Sequence, residues 1–571
     1  MKQMLCRVGI AVVLFLLQTA YSLRAQQPAE ALKKGTLQGQ VVHALTSEPV
    51  RRAEVSLTRR RGELRGMMGP LPAPFPQNQS LTAVTDAEGK FVIRDIEPGD
   101  YFLSAERNGF VRGIYGARRA GQPGTVINVS AGGEMTGLLL KLMPQAVLAG
   151  RLTDEEGEPV QGAAVQVLQK RYVGNRLRWI PAGQGQTNDL GEFRIANISP
   201  GQYLLSAAPT RRIRWTGRVR PSSSGVSAET AYARVFYPSV TDPSQASLIE
   251  VAPGAEVAGL DMRLQKTRVY RIRGQVLDPS GQPATRALVL AVPSGDNDPM
   301  MGPGATPATV ESDGKFEIYG VPSGSYTVVA QLRERQQGGM PLSHRQKVEV
   351  TDGDVDGVVL TLGAGITLTG SLRVVDGEAK DFDYSRVRLR LVPAEQILFA
   401  PPPSGEVKQD GSISIAGISP GKYSLTATGM PQDSYIKSVK VGGYESPDRT
   451  IDLSSGTAAS LEIVVSLKPA QLSGTIQGSD GAVSGATVVL VPGGTKGALT
   501  ANLRTTTTDQ NGSFTVRGLA PGEYKLFAWE DVEPGSYFDP EFRKPYEGNA
   551  LTVKLDQGAA VSVTVPPIAA Q

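Results

Sequence analysis

The residues able to do chemistry are few and poorly placed for it. Histidine occurs twice, at His43 and His344, about 300 residues apart, and neither stands in a His-x-x-Glu pattern. A zinc hydrolase needs two ligands at short spacing and a third from elsewhere. Cysteine occurs once, as Cys6, so the chain beyond it has no thiol, disulfide or thiolate metal site. No Ser-His-Asp or Cys-His triad is supported, and no Walker or dinucleotide loop is present. Glu155 and Glu156 are adjacent carboxylates within a turn and read as a solvated loop. Asp352, Asp354 and Asp356 alternate along a loop and could offer oxygens to calcium. No glutamate completes an EF-hand spacing, so this cluster too reads as a solvated turn. The chain is therefore expected to be non-catalytic, with no cofactor and no metal.

What remains is aromatic. Trp215, Phe236 and Tyr237 fall in one long segment, residues 209–245. Trp529, Tyr537, Phe538, Phe542 and Tyr546 fall in or beside another, residues 530–548. Rings beside acids can stack on sugars, which makes these residues candidates for ligand binding. The competing reading is that they cover an end or an edge of a sheet.

The elements that position these segments repeat five times. The copies are residues 85–106, 188–208, 311–331, 408–428 and 508–529, with tyrosines at Tyr101, Tyr203, Tyr326, Tyr423 and Tyr524. These tyrosines lie about 97 to 123 residues apart, one domain length each. In each copy an Asp-and-Gly turn such as Asp86/Gly89 or Asp509/Gly512 leads into an alternating strand. That strand opens on Phe91, Phe193, Phe316, Ile413 or Phe514, expected to point inward. Pro-Gly follows, or Ser323-Gly324 in the third copy, and suits a type II turn. The tyrosine two residues later is expected to be a corner residue, with its ring buried and its hydroxyl bonded to backbone. Upstream of each unit is a strand containing Gly, a turn and a second strand. Downstream is a closing strand and one more apolar alternation, for about seven strands per module.

The pattern Gly-x-Val…Gly-x-Pro-Val-x-Gly-Ala-x-Val, then Thr-Asp-x-x-Gly-x-Phe, then Pro-Gly-x-Tyr, resembles the carboxypeptidase regulatory-like domain family. It is also similar to collagen-adhesin B-type and transthyretin-like sandwiches. The resemblance covers residues 37–571. It implies an all-β fold: a tandem array of five prealbumin-like, Ig-like Greek-key β-sandwich modules. These occupy 37–143, 144–266 (with a long insertion), 267–362, 363–467 (the most diverged) and 468–571. Fold of this kind does not decide function. Collagen-adhesin domains can close a Lys–Asn isopeptide bond. Lys34 and Asn128 are the nearest fit, while other modules place Glu250, Glu349 and Asp452 at the Asn position.

The N-terminus is expected to direct export. Lys2 and Arg7 precede an uncharged apolar run, Val8 to Leu17, and small residues follow at Ala20, Ser22 and Ala25. That is a signal-peptide layout over residues 1–25, with a linker over 26–36. No transmembrane helix is expected after its removal. The chain holds 59 basic and 55 acidic residues, and residues 1–25 contain three of the basic ones and no acid. The near-neutral remainder argues against nucleic-acid binding. The expected function is a structural or binding array in the periplasm, at the cell surface or outside the cell. Its partner would be an envelope glycan or a surface protein. The alternatives are a purely architectural spacer or a protein adhesion module and, as an unfavoured third, a hydrolase. With short linkers, the modules are expected to form an extended array with contacts between neighbours.

Overall fold

Alternation along the strands builds the fold, and one interruption recurs. The computed structural model describes residues 33–60, 80–118, 122, 124–173, 176–209, 230–293, 306–332, 343–363, 365–378, 380, 382–393, 402–493 and 503–569. In Lys90–Ile96 the side chains of Phe91, Ile93 and Ile96 are buried. The step from 93 to 96 breaks the period of two because Asp95 takes φ +59° and shifts the register against Gly35–His43. The same inward triplet recurs as Phe193/Ile195/Ile198, Phe316/Ile318/Val321, Ile413/Ile415/Ile418 and Phe514/Val516/Leu519. The left-handed residue between its last two members is Asn197, Gly320, Gly417 or Gly518.

Each module is two facing sheets around its own core. In the first, Gly35–His43 lies between Lys90–Ile96, antiparallel, and Glu134–Leu142, parallel. The facing sheet carries Ser80–Val84, Glu54–Arg59, Gly99–Glu106 and Ile127–Val129. The first strands of the other modules, Ala146–Thr153, Lys266–Leu277, Ile366–Val375 and Ala470–Gly478, have the same antiparallel and parallel partners. A glycine in each first strand faces the Phe or Ile that opens the inward triplet: Gly39, Gly150, Gly274, Gly370 and Gly474. A Cβ on Gly474 would lie 2.3 Å from the Val563 carbonyl oxygen and 3.0 Å from the Phe514 ring. Two strands can approach this closely only where no side chain intervenes.

The repeated turns behave as their residue types demand. Asp86 Oδ1 accepts the N–H groups of Glu88 (3.1 Å) and Lys90 (2.7 Å), and Asp509 does the same for Asn511 and Ser513. All five tyrosines are corners. Each hydroxyl donates to the carbonyl four residues back: Glu97 (2.8 Å), Ser199 (2.6 Å), Pro322 (2.9 Å), Ser419 (2.6 Å) and Ala520 (2.8 Å). The glycines before them correct the type II expectation. Gly99, Gly201, Gly324, Gly421 and Gly522 take φ between +149° and +153°, far from the roughly +80° of that turn. This region is open almost only to glycine. The threonine before the Asp or Asn had no assigned task, yet it is structural. Buried Thr85, Thr187 and Thr508 each accept one backbone N–H and donate to one carbonyl across the hairpin.

The segments after the tyrosine strands diverge. In the fourth module Tyr435–Val441 and Tyr444–Glu445 extend the first sheet. In the second, Thr230–Tyr232 leaves its own module and pairs with Lys266–Leu277 of the third. Lys266 is also gripped by Glu155, through its N–H (2.7 Å) and its ammonium (3.1 Å), so Glu155 and Glu156 sit at a junction and not in a free loop.

The expectation of an extended array with contacts mostly between neighbours is corrected. The first and fifth modules touch, because the turn at Asp509 and the segment after Trp529 present groups complementary to the edge of the first module.

Candidate functional site

The fifth module uses its aromatic segment to cover itself. Gly522–Trp529 sends Tyr524, Leu526 and Ala528 into the main core. Phe527 and Trp529 face outward and stack with centroids 5.2 Å apart and planes 3° from parallel. The following residues fold back over them. The helical turn Pro540–Arg543 delivers Phe542, 6.2 Å from Trp529, and Tyr546 meets Trp529 edge-on at 5.7 Å. With Val489, Val491, Leu503, Val532, Phe538 and Ile568 they form a second core on the outside of the sheet. Arg543 is buried beneath it and donates to the Tyr537 carbonyl at 2.6 Å. Burial depresses the Arg543 pKa, against the pull of Asp539 and Glu547. Burial likewise raises the Tyr537 hydroxyl.

The reading of these aromatics as an exposed stacking surface is corrected at three positions. Trp529 is 1% exposed, Phe236 3% and Phe538 9%. Phe236 packs on Leu168 and Leu204 outside the second module's sheet. Tyr237 is half-buried against that module's main core, and Tyr537 and Tyr546 are half-buried around Trp529. Trp215 lies outside the described residues. The physical reason is legible in Leu526-Phe527-Ala528-Trp529, where apolar residues do not alternate. Both faces of such a strand must be covered.

The segment that covers Trp529 is also where three modules meet. From the first module, Arg118 pairs with the Glu530 carboxylate (2.9 Å) and donates to its carbonyl (3.1 Å). Gln122 donates to Asp531 (2.8 Å) and to the Val532 carbonyl (3.3 Å). From the second module, the hairpin of Ala164–Val173 and Arg176–Gln186 brings Arg171 and Tyr172. Burial lowers the Arg171 pKa, opposed by Tyr203 and Glu533. Burial raises the Tyr172 hydroxyl, with Asp539 and Glu533 adding to the rise. Gly535 backs onto Tyr172, where a Cβ would stand 2.7 Å from that residue's own Cβ. Basic groups of two modules thus converge on one acidic stretch, Glu530–Glu533. The variable segments of the first and fifth modules are brought together with this hairpin of the second, and they engage one another.

Elsewhere, the second module carries a shallow cleft of about 250 Å³ lined by Ala164, Val165, Gln166, Gln184, Gly185 and Gln186. The acidic cluster of the third module already holds a cation. Arg273 pairs with Asp354 and Asp356, each at 3.1 Å, and with Glu317 at 2.9 Å. Arg271 adds a 3.2 Å pair to Glu317 and lies over the Tyr319 ring at 5.1 Å. Among the described residues no group of three or more His, Cys, Asp or Glu is placed to hold a metal. His43 ends a strand and its Nδ1 accepts the N–H groups of Leu45 and Thr46. His344 lies within the strand Ser343–Val350, not in a loop. The Asn128 amide donates to Asp100 at 2.8 Å, so the residue nearest to an isopeptide partner is otherwise engaged. Among the described residues no helix is long and apolar enough to cross a membrane.

Comparison with known proteins agrees with the repeated motif. The carboxypeptidase regulatory-like domain matches residues 36–132, 271–363 and 471–565. No curated protein matches the chain. Among solved structures, a minor pilin of Streptococcus agalactiae overlaps at 12% identity over 41% of this chain and 96% of its own, with TM-score 0.22. Two B repeat units of the Staphylococcus aureus collagen binding protein overlap at 10% identity, over 76% of this chain and 100% of theirs, with TM-score 0.13. A Pseudomonas aeruginosa protein described as carbohydrate binding overlaps at 21% identity, over 16% of this chain and 87% of its own, with TM-score 0.13.

Proposed function

Because the chain belongs to the carboxypeptidase regulatory-like domain family, we propose that it is an exported, non-catalytic structural array of the cell envelope that meets surface proteins through module faces. One observation carries this reading. Among the described residues, the variable segments of the first and fifth modules, where such sandwiches usually place binding function, are spent on packing and on joining modules. Export rests on the leader-like residues 1–25. Cell fractionation of a C-terminally tagged chain tests this: the tag is expected in the envelope or periplasmic fraction on a product lacking residues 1–25. Full-length product in the cytoplasm would overturn it.

A second reading, glycan binding, is supported by the glutamine-lined cleft of the second module. Side-chain amides both donate and accept, and so match sugar hydroxyls. A glycan array compares the parent with Gln184→Ala. Binding lost in Gln184→Ala favours the cleft. No binding by the parent removes this reading and leaves the architectural one.

A further inference from the structure

We propose that the first and fifth modules carry a matched pair of surfaces through which one copy of this chain engages another. The fifth module's Asp509–Gly512 turn and Glu530–Val532 segment would seat on the edge strand Ile127–Val129 and on Arg118 and Gln122 of a second chain.

The reason begins at the edge strand. Among the described residues, Ile127–Val129 pairs as a strand with Gly99–Glu106 on one side only. Its other side offers the N–H and C=O of Asn128, the kind of open edge that recruits a further strand. The Gln510 side chain supplies both halves of that pairing. Its oxygen accepts the Asn128 N–H at 3.2 Å and its nitrogen donates to the Asn128 carbonyl at 3.5 Å. Beside it Val126 and Asp509 form a parallel bridge, and Thr507 donates to the Gly124 carbonyl at 3.2 Å. Nothing in this contact depends on the two halves belonging to one chain.

The contact is also built to be separable. It is polar, and the Arg118–Glu530 ion pair keeps side-chain exposures of 38% and 39%. Such pairs hold weakly. The Thr125 hydroxyl is buried between Gly116 and Gly485 of the fifth module with no hydrogen-bond partner, a cost of closing. Within one chain these surfaces meet at high effective concentration. Once the clasp opens, the edge at Asn128 is bare, and every other copy carries its complement. The two surfaces differ, so the contact is heterologous and joins copies head to tail or by reciprocal exchange.

Charge reversal on each side tests this in the full chain. One variant is Arg118→Glu with Gln122→Glu; the other is Glu530→Arg with Asp531→Arg. Each alone repels its own partner surface and is expected to sediment as an expanded monomer. Mixed in equal amounts they are complementary only in trans, and a 1:1 heterodimer of doubled mass is expected. All four changes in one chain should restore the parent's compact monomer, which also controls for misfolding. A mixture that stays monomeric, or single-side variants that keep the parent's sedimentation coefficient, would overturn the proposal.

Discussion

At the residue scale, identical side chains have different worth according to what they touch. Tyr203 is 1% exposed and its hydroxyl holds the Ser199 carbonyl. Tyr203→Phe leaves that carbonyl unpaired in the core, and a loss of roughly 1–3 kcal/mol is expected. Tyr237 was read as exposed, but its ring packs against the same core. Tyr237→Phe keeps the ring and should stay within about 0.5 kcal/mol. Hydrogen exchange of the second module's amides in the full chain separates the two. Equal, small effects would mean that the corner bond does not hold the hairpin. The corner was readable from Pro-Gly-x-Tyr alone. The left-handed residue at Asp95 and Asn197 was not, because a residue that bulges a strand leaves the alternation before it unchanged.

At the element scale, the first strand and its neighbours set two constraints. The glycine opposite Phe514 is required by backbone more than by the ring. In the fourth module Ile413 replaces the phenylalanine, yet a Cβ on Gly370 would still stand 1.8 Å from the Leu461 carbonyl oxygen. Gly474→Ala is therefore expected to cost roughly 1–3 kcal/mol, and trimming the ring with Phe514→Leu should not rescue it in thermal unfolding. The second constraint is electrostatic. Burial raises the Glu317 carboxyl, but hydrogen bonds from Tyr319, Arg273 and Arg271 outweigh it and hold the group below its ordinary 4.5. A carboxylate depressed in the folded state contributes stability that is present above pH 4.5 and is lost as pH falls through the folded value. Acid unfolding of the third module should thus become shallower in Glu317→Gln, and an unchanged profile would contradict the network. Burial and the bond to Glu317 push the Tyr319 hydroxyl up to about 12. Since Arg273 already pairs with Asp354 and Asp356, a chelator is expected to leave the melting temperature unchanged. A fall of several degrees would reopen the calcium reading.

At the scale of the whole molecule, five independent cores are joined by short connections, yet the ends meet. The consequence is a coupling across sequence. Gln510→Ala removes the acceptor of the Asn128 N–H, 382 positions away. That amide should exchange about fivefold to tenfold faster, the equivalent of one hydrogen bond of roughly 1 kcal/mol. No change at Asn128 would mean that the terminal modules are apart in solution.

Several local features were determined by the sequence itself: the all-β class, the five repeats, the turns at Asp86 and Asp509, the inward Phe91 and Phe514, and the corner tyrosines. Each follows from the conformational preferences of a few neighbouring residues, and each recurs in register. The tertiary structure alone decided where the variable segments go. Trp529 looks the same in sequence whether its ring meets a sugar or Phe542, and Asp354 looks the same whether it holds calcium or Arg273. Long-range partners depend on which faces the sandwiches turn toward one another. No spacing within a single repeat encodes that Arg118 of the first module finds Glu530 of the fifth.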